Sequence, residues 1–221
     1  AIDNGRMLRN FVQIMRSGQV GRTSLGTRPK RLVKAWLEQA SMRDLMAAAT
    51  GNDPSLADIV RMVHPRPADA ARRAFYGWLI GKPYDVAALP GEIAAFEAWK
   101  REPKGALPPV PFKWLTAFPL SAEQWASLAG TMGWQALRMN LNTLARNGVF
   151  ADSTLVAELA RKLRDPEQVR RARVFPYQLL MAYTAASVDV PTKIREALQD
   201  AMEVATRQVP KLEGNVVVAV D

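Results

Sequence analysis

The stretch Gly21-Arg22-Thr23-Ser24-Leu25-Gly26-Thr27-Arg28-Pro29-Lys30-Arg31 sets arginines, hydroxyls and glycines directly before a helix start. Backbone N–H groups at a helix N-terminus attract phosphate, and arginine forks add bidentate hydrogen bonds to it. The spacing is not that of a Walker A loop. The candidate phosphate contacts are Arg22, Arg28, Lys30, Arg31 and Lys34; the alternative is a solvated basic loop and helix face. Residues 1–40 hold eight Lys and Arg against only Asp3 and Glu38, so most of the chain's net charge of +9 is concentrated there.

Three further groups of residues are chemically suggestive. The single histidine, His64, stands between Val63 and Pro65 with Arg61 and Arg66 nearby. Histidine stacks on bases and donates to phosphate, while its plainer role is to cap or pack a helix end. In the segment Trp134 to Asn147, Arg138, Asn142 and Arg146 form a polar line beside the apolar arc of Trp134, Leu137, Leu141 and Leu144. Asparagine lowers helix propensity, so its amides are expected to bond something, either RNA or a neighbouring helix end. The zone from Arg161 to Arg173 interleaves cations with Asp165 and Glu167, the pattern of a salt-bridged helix surface.

Much chemistry is excluded. The 221 residues contain no Cys and one His, which removes disulfides, thiolate zinc sites, Cys nucleophiles and His-His metal motifs. There is no Gly-x-Ser-x-Gly elbow and no Gly-x-Gly-x-x-Gly loop, and Asp and Glu show no metal-ligand spacing. No enzymatic activity and no cofactor are expected from these residues. Trp36, Trp78, Trp99 and Trp125 fall on apolar faces and are expected in the core. With Lys plus Arg at 30 and Asp plus Glu at 21, the expected partners carry phosphate or an anionic surface. No apolar run reaches membrane-spanning length, so no membrane role is expected. The start, Ala1-Ile2-Asp3-Asn4-Gly5, has neither an initiator Met nor a signal-peptide core; the expectation is a cytoplasmic piece of a longer chain.

The elements that must position these residues are helical. Apolar positions recur with helical spacing, and Pro or Gly interrupts them at short intervals. Helices are expected over 6–16, 30–39, 43–49, 56–63, 67–80, 90–100, 113–118, 134–147, 152–164, 166–173, 176–186 and 191–208. Ser121 and Gln124 form a capping-box pattern for one more. On the second helix Leu32, Val33, Trp36 and Leu37 are expected to face inward, opposite Lys30, Arg31 and Lys34. Pro103, Pro108, Pro109 and Pro111 make a stiff connector. Only the run Val216-Val217-Val218-Ala219-Val220 reads as a buried strand. Helices in close succession suggest antiparallel pairs.

Residue patterns along nearly the whole chain resemble one family. Gly21-Arg22, Arg31-Leu32-Val33-Lys34-Ala35-Trp36, Asp58-Ile59-Val60-Arg61-Met62-Val63-His64-Pro65-Arg66-Pro67, Leu115-Thr116, Leu137-Arg138-Met139-Asn140-Leu141-Asn142-Thr143 and Phe175-Pro176-Tyr177 occur in the order seen in the TROVE domain of the Ro autoantigen and its bacterial relatives. The resemblance implies an all-α fold of HEAT-like antiparallel helical repeats forming part of a ring. It assigns 1–212 to that domain and 213–221 to the first strand of a truncated von Willebrand factor A domain. Asp221 matches the first residue of that domain's Asp-x-Ser-x-Ser metal motif, so a divalent metal is implied only for a longer parent chain. Family members bind small noncoding Y RNAs and single-stranded ends of misfolded RNAs, with an exoribonuclease as the candidate protein partner. His64 and Arg61 inherit a role in Y RNA contact by this resemblance.

The expected function is RNA binding within a ribonucleoprotein, by capture of the backbone and selection of shape. The alternatives are a helical-repeat scaffold with an incidental basic face, and an accessory domain of a nucleic-acid enzyme.

Overall fold

A computed structural model of the chain describes residues 2–51 and 53–209. Among these, regular structure is helical: fourteen α-helices and one short 3-10 segment. They divide into two compact units, one ending at Pro119 and the other beginning at Leu120. The expected strand over 213–221, and Asp221 with it, lie outside the described residues.

The first unit contains α1 (Gly5–Arg16), α2 (Thr27–Gln39), α3 (Met42–Ala48), α4 (Leu56–Val63), α5 (Ala70–Ile80), α6 (Gly91–Arg101) and α7 (Phe112–Leu115). Each of the longer helices buries one stripe: Leu8 and Val12 on α1, Val33 and Leu37 on α2, Leu56, Ile59, Val60 and Val63 on α4, Phe75 and Tyr76 on α5. Local chemistry fixes the starts. Asn4 accepts the Met7 N–H at 3.0 Å, and Ser55 and Asp58 cap one another's backbone N–H groups at the start of α4. Gly5 is required by packing, because a Cβ there would sit 2.3 Å from the Ala48 Cβ of α3. An aromatic cluster closes the far side. Trp114 lies 5.5 Å from both Trp78 and Phe96, and Phe118 meets Trp99 edge-on at 5.3 Å.

The second unit contains α8 (Ala122–Thr131), α9 (Trp134–Met139), α10 (Leu141–Arg146), α11 (Ser153–Arg164), α12 (Pro166–Ala172), α13 (Pro176–Thr184) and α14 (Thr192–Thr206). Helix α14 packs on α11, α12 and α13, burying Ile194, Ala197, Leu198 and Ala201. The Trp134 indole is buried and donates to the Leu163 carbonyl at 2.9 Å.

Three expectations are corrected. The helix expected over 134–147 is two helices, broken at Asn140, whose φ of −111° and ψ of 11° leave the helical range. Its side-chain amide donates to the Ala136 carbonyl at 2.7 Å, the local competition that makes asparagine a poor helix interior. The helix expected to start at Pro67 starts at Ala70, because Asp69 accepts from the Ala71 and Arg72 N–H groups. Leu32, expected inside, is 46% exposed; only Val33 and Leu37 of that helix are fully buried.

Candidate nucleic-acid interface

A groove of about 800 Å³ opens in the first unit between the start of α2 and the turn after α4. Its basic residues come from two separate stretches of sequence: Lys30, Arg31 and Lys34 from α2, His64 and Arg66 from the turn. Ser24 and Thr27 add hydroxyls, and among the described residues no carboxylate lines it. Among the described residues none of these five basic side chains is in an ion pair. The like charges converge because buried Val33 and Leu37 of α2 and buried Val60 and Val63 of α4 face the common core.

The N-terminus of α2 strengthens the field. Its N-cap is Gly26, at φ 67°, with no side-chain cap and no acidic residue in the first turn. The partial positive charge at the helix start is therefore left for an outside anion. His64 closes α4 in the left-handed region, at φ 49° and ψ 64°, and its N–H reaches the Val60 carbonyl at 2.9 Å. That backbone costs a non-glycine residue about 1–2 kcal/mol. It ends the helix abruptly and leaves the imidazole exposed at the groove.

The remaining predicted residues fall elsewhere. Arg22 and Arg28 line a second groove of about 520 Å³ with Phe11, Met15 and Pro29, and Thr27 belongs to both. Arg61 does not line the first groove: it donates to the Ile80 carbonyl at 3.1 Å and lies 3.6 Å from Asp58. Arg138 donates to the Gln178 carbonyl at 2.9 Å, and burial pushes its pKa below the ordinary arginine value. Asn142 donates to the Ala185 carbonyl at 2.8 Å and accepts from the Ser187 N–H at 2.9 Å. Both side chains tie helix segments together. Arg146 is exposed and reaches only Thr143, at 3.4 Å. Ser24 and Thr27 lie inside the basic stretch 21–31 and join the groove without being among the predicted contacts. Among the described residues no group of three His, Asp or Glu is placed to hold a metal, and no helix is long and apolar enough to cross a membrane.

Comparison with known proteins assigns the family. The TROVE domain profile matches residues 77–215, well over half of the chain. The chain belongs to the TROVE domain family. A curated relative, the RNA-binding protein RO60 of Deinococcus radiodurans, is 31% identical over 139 residues. That match covers 58% of this chain and 26% of the relative. The crystal structure of the Deinococcus radiodurans RO (RSR) protein superposes with a TM-score of 0.60 at 22% identity, over 93% of this chain and 47% of that one. At that identity the likeness concerns the fold. The chain thus spans less than half the length of the relatives that it matches. The groove residues, 24–66, precede the span matched by the TROVE profile, so the groove stands on its own geometry.

Proposed function

We propose that this chain is an RNA-binding part of a Ro-like ribonucleoprotein. Its ligands in this reading are small structured noncoding RNA of the Y type and single-stranded ends of misfolded RNA, in RNA quality control. An exoribonuclease is the protein partner that fits such a role, and the chain's own part is binding rather than catalysis. One observation carries the reading: five basic side chains from two sequence-distant elements line one acid-free groove at an uncapped helix start. Membership of the TROVE family, and a relative named for RNA binding, support it.

The physical mechanism is electrostatic. Each phosphate that enters the groove releases condensed counterions, and the helix start and arginine forks orient it. The backbone is gripped without reading base edges, so selection falls on RNA shape. The test is fluorescence anisotropy with a labelled hairpin RNA over a salt series. Log affinity is expected to fall linearly with log salt, by about 0.9 per phosphate neutralised on a duplex. Neutralising Lys30 and Lys34 together should flatten that slope by about 1.8. A slope near zero, or one untouched by the double substitution, overturns the reading.

A further inference from the structure

Helix α13 departs from the pattern of α11 and α14, which bury an apolar stripe and expose charged residues. Its sequence, Pro-Tyr-Gln-Leu-Leu-Met-Ala-Tyr-Thr, has no charged residue, yet Leu179 is its only buried side chain. Tyr177 is 63% exposed, Leu180 48% and Met181 63%, all on one face by their i, i+3 and i+4 spacing. Phe175, just before the helix and 58% exposed, stacks on Tyr177 with centroids 6.0 Å apart and an interplanar angle of 19°. A helix apolar all round is normally covered on all sides.

The arrangement is also rigid. Gln178 Oε1 accepts the Phe175 N–H at 3.1 Å, and Pro176 occupies the first turn. Arg138 grips the Gln178 carbonyl, and Asn142 holds Ala185 and Ser187 just past the other end. Polar clamps from α9 and α10 thus fix the helix while its apolar face stays outward. Exposed aromatic and methionine side chains on a fixed support are the composition of interface hot spots.

The surrounding charge selects the occupant. Arg173 shares a small cavity with Phe175 and Pro176 and has no ion pair among the described residues. Among the described residues no acidic side chain lines that cavity. A second copy of the chain would bring the same arginine to the same face. RNA is the weaker fit, because Arg170 and Arg171 are already bridged to Glu167, and residues 120–221 carry 12 Lys and Arg against 11 Asp and Glu. We infer that the outward face of α13 docks a protein segment with an apolar stripe flanked by carboxylates. This inference is independent of the RNA groove.

The test uses the whole chain and two labelled peptides, each a designed helix with leucines at i, i+3, i+4 and i+7. One is flanked by glutamates and the other by lysines. The glutamate peptide is expected to bind at least about tenfold tighter than the lysine peptide. Tyr177→Ser with Met181→Ser should lose about tenfold or more, and Arg173→Gln about threefold. Thermal melts should be unchanged, because these side chains are exposed. Four results would overturn the inference: no binding of the glutamate peptide, equal binding of both peptides, oligouridine bound at this face and lost in the double variant, or a wild-type dimer that the double variant dissolves.

Discussion

The first unit carries 18 Lys and Arg against 10 Asp and Glu, whereas the second is almost neutral. The larger difference is in what the cations do. In the second unit several of them hold helices together, while Arg146 and Arg173 are left free of carboxylates among the described residues. Arg138 donates to the Gln178 carbonyl in the first turn of α13, Lys162 reaches the Gly130 carbonyl at 3.1 Å, Arg195 holds Ala186 at 3.0 Å, and Arg164 pairs with Asp200 at 3.2 Å. The first unit uses some of its arginines in the same way. Arg9 reaches the Ala48 carbonyl at 2.8 Å and Arg72 the Leu37 carbonyl at 2.6 Å, each at or near a helix end. The last carbonyls of a helix lack intrahelical donors, and a guanidinium satisfies them while matching the negative end of the dipole. The first unit differs in gathering a second set into one groove, where they meet neither carbonyl nor carboxylate among the described residues. Positive charge therefore marks a binding surface only after the helix-end arginines have been subtracted.

That contrast can be broken most directly by reversing charge. Lys30→Glu with Arg66→Glu is expected to weaken hairpin RNA binding about a hundredfold at moderate salt, close to 2.7 kcal/mol. Arg171→Glu in the second unit should change it less than about threefold. Equal losses from the two would show that the charge acts diffusely rather than through the groove. Next in size, Asn142→Ala removes two hydrogen bonds and leaves Ala185 and Ser187 backbone groups without that partner. It should cost about 2 kcal/mol in a urea melt and leave RNA affinity unchanged. A large affinity loss without destabilisation would return Asn142 to the RNA contacts.

Gly26→Ala sharpens the comparison from within the groove. Residue 26 sits at φ 67°, and an added Cβ would meet the Arg22 Nη1 at 3.4 Å. The expected cost is about 1–2 kcal/mol in stability, with a severalfold loss of affinity from displacing Arg22 and re-aiming the helix start. The smallest effect is at Ser55. Ser55→Ala removes a capping box and should cost about 1 kcal/mol. The Ser55 hydroxyl, helped by the Arg61 charge, holds the Asp58 carboxyl below its ordinary value. The stability it contributes is present above about pH 4 and is lost as pH falls through the lower folded value. Asp58→Asn should flatten that acid loss in a pH-dependent melt; an unchanged profile would assign the acid sensitivity to other carboxylates.

Local signals carried much of the fold. The capping pair Ser121 and Gln124, the caps Asp152 and Asp165, and the terminating glycines Gly81 and Gly148 all act within a few residues of themselves. The break at Asn140 is hidden in the sequence because apolar periodicity continues through it and one amide makes it. The site was legible in part for the same reason. The basic stretch before α2 and the histidine at the end of α4 are local signals, and their convergence in one groove is tertiary. The partners of Arg61, Arg138 and Asn142 lie 19, 40 and 43 residues away. Nothing beside those residues in the sequence distinguishes a side chain that grips a distant helix end from one that grips RNA.

The aromatic cluster of the first unit has a practical consequence. Trp78, Trp99 and Trp114 are locked at fixed angles to one another or to Phe96 and Phe118, on three successive helices. Rings held in an asymmetric lattice of this kind give strong near-ultraviolet dichroism, whereas freely rotating rings do not. The chain thus contains its own optical gauge of side-chain order, to which the buried Trp125 and Trp134 of the second unit also contribute, and no label need be placed near the basic surface to read it.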